Sequence, residues 1–120
     1  MSIQIVGGSV SPSTALTLNA QTGTTYTFVL TDANNTLVTA SNASAQTYTS
    51  PPNSSVAYPI GSQINIIAIG AGQVSFAQGS GVTIASNGAT STAPKLRVQY
   101  SSATAIKVNT DSWYVVGDIA

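Results

Sequence analysis

Residues 63–77 read Gln63-Ile64-Asn65-Ile66-Ile67-Ala68-Ile69-Gly70-Ala71-Gly72-Gln73-Val74-Ser75-Phe76-Ala77, and this stretch decides the fold class. Its isoleucines at 64, 66, 67 and 69 form a dense β-branched run, too short for a surface helix and suited to a central strand covered on both faces. Gly70-Ala71-Gly72 then turns the chain. Val74 and Phe76 return two residues apart, hence on one face, so the whole stretch reads as one hairpin.

Working outward, short β-branched or aromatic runs recur at residues 15–18, 25–30, 37–41, 46–49, 81–85, 95–100, 105–108 and 112–116, each bounded by turn formers. No window of a dozen residues keeps the i, i+3, i+4, i+7 apolar pattern of a surface helix. The expectation is an all-β, antiparallel domain over residues 21–120, a β-sandwich or barrel-like body. Alternation places Tyr26, Phe28 and Leu30 on one strand face, and sets Leu96, Val98 and Tyr100 opposite Lys95, Arg97 and Gln99 on another strand. Asn109-Thr110-Asp111 closes a final hairpin. The expected core is Phe28, Leu30, Ile64, Ile66, Val74, Phe76, Ile84, Leu96, Val98 and Ile106.

Residues 1–20 differ. Gly7-Gly8 and Ser11-Pro12-Ser13 separate two short apolar segments, so this stretch reads as a short N-terminal arm or an added edge strand. In it Ile3, Gln4, Ile5 and Val6 could pair their backbone with a neighbouring edge, swung into place at Gly7-Gly8.

The composition limits the chemistry. Cysteine, histidine and glutamate are absent, and Asp32, Asp111 and Asp118 balance Lys95, Arg97 and Lys107 to a net charge of zero, in a chain where 33 of 120 residues are Ser or Thr. Acid-base, thiol and metal catalysis draw on the missing residues, so the chain reads as a binding or building module, not an enzyme, with no cofactor expected. Charge neutrality gives no footprint for nucleic acid or an anionic membrane, and little repulsion between copies. No run approaches the roughly eighteen apolar residues of a membrane span. MSIQIVGG at the start lacks a basic region followed by an apolar run, which leads to the expectation of a soluble chain made in a cytoplasm.

Individual motifs read plainly. Asp32-Ala33-Asn34-Asn35 resembles the start of a calcium loop, but the required Gly and terminal Glu do not follow, so Asp32 is expected to cap a turn. Gly70-Ala71-Gly72 lacks the Lys-Thr pair and helix of a phosphate loop. Lys95, Arg97 and Gln99 read as a solvated strand face or an intersubunit ion pair. No strict Thr-x-Thr array repeats along the chain, so its Ser and Thr read as strand surface and not as an ice-binding face. Trp113 and Tyr114 face opposite sides of one strand, one to the core and one outward. Tyr48, Tyr58 and Tyr114 are candidate surface or subunit-contact aromatics, which could also stack on sugar rings. Pro51 and Pro52 remove two backbone donors and mark a connection at the sheet edge, a second candidate contact.

Five blocks, in this order and spacing, carry a resemblance: YTFVLTDA (26–33), PPNSSVAYPIGSQI (51–64), IGAGQVSF (69–76), GSGVTI (79–84) and WYVVGD (113–118). Over residues 22–118 the chain resembles a module of tailed-bacteriophage virion surface proteins: head-decoration or cement proteins, head fibres and tail fibres. The resemblance implies a structural role on the outer capsid surface, with the major capsid protein and further copies of the chain, as a trimer, for partners, and assembly in the host cytoplasm. Because the module fills nearly the whole chain, a capsid decoration protein is the expected function. The alternative is a head-fibre or tail-fibre module that binds a receptor or glycan. The resemblance supplies no catalytic residues.

Overall fold

A computed structural model describes residues 15–120. Strands dominate it and helix is almost absent, so the chain is all-β. Among the described residues nine strands follow one another: β1 (Thr17–Gln21), β2 (Thr25–Thr27), β3 (Thr36–Ala40), β4 (Gln46–Ser50), β5 (Gln63–Ala68), β6 (Val74–Gln78), β7 (Thr83–Ala85), β8 (Ser102–Asn109) and β9 (Ser112–Gly117). Six form one sheet in the order β1-β3-β5-β8-β9-β7, and three form a second, β2-β4-β6.

The pairing is mixed, which corrects the antiparallel expectation. β1 with β3, β3 with β5, β2 with β4, β4 with β6, and β7 with β9 all run parallel, while β5 with β8 and β8 with β9 are antiparallel. The cause is the route of the chain. It lays one strand in the large sheet, arches over, lays the next in the small sheet, and returns to start again, three times in succession. Equivalent strands of successive arches therefore point the same way, and Thr17 pairs with Thr36, Thr25 with Thr47, and Gln46 with Val74. An arch of this kind buries its apolar face only when another is stacked on it.

Residues 63–77 are accordingly an arch and not a hairpin. Ile64 pairs with Ala105 of β8, and Phe76 pairs with Tyr48 of β4 in the other sheet. The turn between them is held by the turn beneath it: the Ile69 and Gly70 N–H groups donate to the Ala40 carbonyl at 2.8 and 3.1 Å, and the Gly72 N–H donates to Asn42 O at 2.8 Å. One level lower, Ser41 N–H donates to Gln21 O at 2.9 Å and Asn42 Nδ2 to Thr22 O at 2.8 Å. Backbone meets backbone here, and a β-carbon at Gly70 or Gly72 would run into Asn42 or Ser44. Those two glycines are required by close approach.

Side chains from both sheets meet in one core. The large sheet contributes Val38, Ile64, Ile66, Ile84, Trp113 and Val115, and the small sheet Tyr48, Val74 and Phe76, all at most 1% exposed. Tyr26, Tyr48 and Phe76 stand in register on successive small-sheet strands, and Phe28 packs on Tyr48 and Phe76 with ring centroids 5.9 and 6.4 Å away. Each fully buried large side chain contributes about 1.5–3 kcal/mol. β5 is central, between β3 and β8, but it is covered on one face only, because Asn65 and Ile67 remain half-buried.

Three residues leave the expected core. Leu30 is 53% exposed because β2 stops at Thr27 and a 3₁₀ turn, Leu30–Ala33, follows. Asp32 Oδ2 accepts the Val29 N–H at 2.9 Å and so folds the strand end over, as its capping role predicts. Val98 is 51% exposed because residues 95–100 do not continue as a strand. Lys95 and Leu96 make single bridges to Ser75 and Ile119, then Val98 N–H turns to Ser101 Oγ at 3.1 Å and Tyr100 adopts a φ of 70°. Ile106 lies on the outer face of β8, half-buried, because Ala105 and Lys107 take the inward positions. Of residues 1–20, the described part from Thr17 onward is β1, an edge strand of the large sheet.

Candidate interaction surface

The six strands of the large sheet contain one charged residue, Lys107, and it points inward at 2% exposure. The outer face of that sheet is therefore uncharged from edge to edge. Register defines its rows. Leu18, Leu37, Asn65, Thr104 and Val116 form one, Ala20, Thr39, Ile67 and Ser102 a second, and Gln63, Ile106, Tyr114 and Ala85 a third. Leu18, Tyr114 and Val116 are the large apolar side chains that stand most free there, at 66%, 53% and 50% exposure. Scattered apolar side chains are ordinary on a protein surface, but a continuous uncharged face of this composition suits a contact with another protein.

A second feature lies at the open end of the stack. Among the described residues β1 pairs only with β3 and β2 only with β4, so both sheets present a free edge at that end. Between them is a cleft of about 520 Å³ lined by Leu18, Asn19, Tyr26, Asp32 and Thr36, among others. Its polar groups satisfy one another. Asp32, 1% exposed, accepts from Tyr26 Oη at 2.7 Å, Asn19 Nδ2 at 2.8 Å and the Val29 N–H. Burial, and then the hydrogen bond to Asp32, push the Tyr26 hydroxyl up to about 12. Among the described residues no group of three or more potential metal ligands forms.

The residues singled out from the sequence fall in different places. Ile3, Gln4, Ile5 and Val6 lie outside the described residues. Tyr114 is exposed on the outer face. Tyr48 and Tyr58 are not surface aromatics: they are 0% and 3% exposed. Tyr48 faces inward on β4, between Tyr26 and Phe76, and burial alone raises its hydroxyl to about 12. Tyr58 packs edge-on to Trp113 at 5.1 Å and donates to the Val29 carbonyl at 2.6 Å, and burial raises it further still. Pro51 is buried directly after the inward Ser50, and Pro52 is half-buried, so this pair is packed into the domain and does not join the outer face.

Lys95, Arg97 and Gln99 do not form a strand face. Arg97 pairs in two-pronged fashion with Asp118 at 2.7 and 3.1 Å, and Gln99 Nε2 donates to Ile69 O at 3.0 Å. Asp118 in turn accepts from Ser101 Oγ at 2.6 Å, and hydrogen bonding from Arg97 first and then from Ser101 holds its carboxyl below the usual range. Reading the sequence alone overlooks Leu18, Leu37, Ile67, Ile106 and Val116. Their signal is the second phase of the strand alternation, which shows which residues share a face only once the strand order is known. Compared with protein-family models, curated proteins and solved structures, the chain matches none in any of the three.

Proposed function

We propose that this chain is a structural protein of a bacteriophage virion, a capsid decoration (cement) protein whose two sheets form a sandwich-like body seated on the outer surface of the shell. The observation that carries the reading is the uncharged outer face of the six-stranded sheet, with Leu18, Tyr114 and Val116 raised on it. Such a face meets a protein surface without desolvating charge, and the area it buries is lost only when the contact opens. The five sequence blocks support the phage assignment, and the lack of Cys, His and Glu supports a building role over a catalytic one. The partners are the major capsid protein and, by the same resemblance, two further copies of the chain.

The test is co-sedimentation with undecorated capsids. Wild-type protein is expected to bind at hundreds of copies per particle, and the double variant Tyr114→Lys/Val116→Lys to keep its circular dichroism spectrum and lose binding. Full occupancy by the double variant rejects the outer face as the contact. Failure of the wild type to bind, together with adhesion to host-surface glycans, favours the fibre reading instead.

A further inference from the structure

Tyr26, Tyr48 and Phe76 stand in one inward row across the small sheet, yet they are not equally covered. Tyr48 and Phe76 are 0% and 1% exposed, whereas Tyr26 is only half-buried, with Tyr48 on one flank and, among the described residues, no strand on the other. The backbone shows the same gap. The Thr47 N–H donates to Thr24 O at 2.9 Å and the Phe28 N–H to Thr49 O at 3.1 Å, so β2 turns the peptide groups of residues 24, 26 and 28 toward β4. By the alternation of a parallel ladder, the N–H and C=O groups of Thr25 and Thr27 point the other way, to the free edge. The cleft of about 520 Å³ lies beside Tyr26 there. Residues 1–14, outside the described residues, lead into β1 at this same end of the stack.

We infer that Ile3–Val6 of the same chain is the missing neighbour, a fourth strand of the small sheet lying parallel to β2. Two observations select this occupant. The first is the rhythm of the arches. From β1 to β7 the strands alternate strictly between large sheet and small, so the strand before β1 belongs to the small sheet. The returns to the large sheet take residues 28–35 between β2 and β3 and residues 51–62 between β4 and β5. Residues 7–16, between Val6 and β1, are intermediate in length, which puts 3–6 where the repeat requires a strand. The second is the side-chain pattern. In an extended segment Ile3 and Ile5 share one face and Gln4 and Val6 the other. With Ile5 beside Tyr26, the inward row becomes Ile5, Tyr26, Tyr48, Phe76, and Gln4 and Val6 stand outward beside the exposed Thr25 and Thr27. In that register the Ile5 N–H donates to Thr25 O and the Thr27 N–H donates to Ile5 O, filling the free edge. The outer face of the large sheet, on which the proposed function rests, takes no part.

The test is amide hydrogen exchange of the full chain, read residue by residue by NMR. Thr25 and Thr27 are expected to exchange about tenfold or more slower than unpaired amides, and Ile5→Pro, which removes the donor to Thr25 O, is expected to release them. Thr47 and Thr49 should stay protected in that variant, which shows the rest of the sheet intact. A nuclear Overhauser contact between Ile5 and Tyr26 in the wild type, arising within one copy when labelled and unlabelled chains are mixed, is expected alongside and needs no variant. Free exchange of Thr25 and Thr27 in the wild type overturns the inference, as does protection that survives Ile5→Pro or absence of the Ile5–Tyr26 contact. So does a contact found only between labelled and unlabelled chains, which makes the occupant the arm of a second copy.

Discussion

Gly72 lies against the Ser44 carbonyl so closely that a β-carbon there would overlap the oxygen, while its own N–H donates to Asn42 O at 2.8 Å. The spacing between the second and third arches is therefore set by an absent side chain. Gly72→Ala is expected to destabilise the domain by about 1–3 kcal/mol through forced separation of the turns. Gly23→Ala, in the first arch, meets only Thr25 O at an ordinary 3.7 Å and is expected within about 0.5 kcal/mol of wild type. Urea unfolding of the two variants checks the contrast.

Phe76 and Val98 separate core from surface in a region where the sequence reads both as core. Phe76 is 1% exposed and packs on Phe28, so Phe76→Ala is expected to lose about 3–5 kcal/mol. Val98 is 51% exposed, and Val98→Ala is expected to change stability by about 0.5 kcal/mol or less. Thermal melts of both, compared with wild type, decide it.

Asp32 ties the first arch together through three donors. Asp32→Ala leaves the Tyr26 hydroxyl, the Asn19 amide and the Val29 N–H without this acceptor, and because these donors are half-buried or exposed each lost hydrogen bond is expected to cost about 0.5–1.5 kcal/mol. The same substitution removes a cause of the raised Tyr26 titration, so that hydroxyl should ionise at lower pH than its value of about 12. Spectroscopic titration of tyrosinate against pH reads this directly.

Alkaline pH should unfold the protein cooperatively. Tyr26 and Tyr48 are raised from 10.0 to about 12 and Tyr58 is raised further, chiefly by burial. The folded state therefore holds these protons more tightly than the unfolded chain, and their stabilisation is complete below pH 10 and lost as pH rises through the folded values. The melting temperature is expected to be flat up to about pH 9 and to fall steeply between about 10 and 12. A flat profile through that range would show the hydroxyls to be solvated.

Strand identity was legible in the sequence for most runs, residues 95–100 excepted, because period-two alternation survives any pairing. Val74 and Phe76, Ile64 and Ile66, and Trp113 against Tyr114 all take the sides that alternation assigns. Pairing direction was not legible. Gly70-Ala71-Gly72 serves equally as a hairpin turn or as an arch between sheets, and what selects the arch is the Asn42–Ser44 turn beneath it, some thirty residues earlier in a stretch with no matching motif. The end of β2 was hidden for a local reason, since the Asp32 carboxylate takes the Val29 N–H that a longer strand would have used. The outer face was hidden by both: its rows draw on Leu18, Ile67 and Val116, residues that register brings together and sequence order keeps apart.

The far edge of the small sheet is occupied, with Phe76 N–H donating to Pro94 O at 2.9 Å and Leu96 N–H to Val74 O at 2.9 Å, while β8, β9 and then β7 carry the large sheet on past β5. The stack thus has a grain: the small sheet's edge is bridged at one end, and among the described residues both sheets are open at the other. Among the described residues both sheets end there in strands with one unpaired edge, so an added strand could pair with either without disturbing the arches behind it.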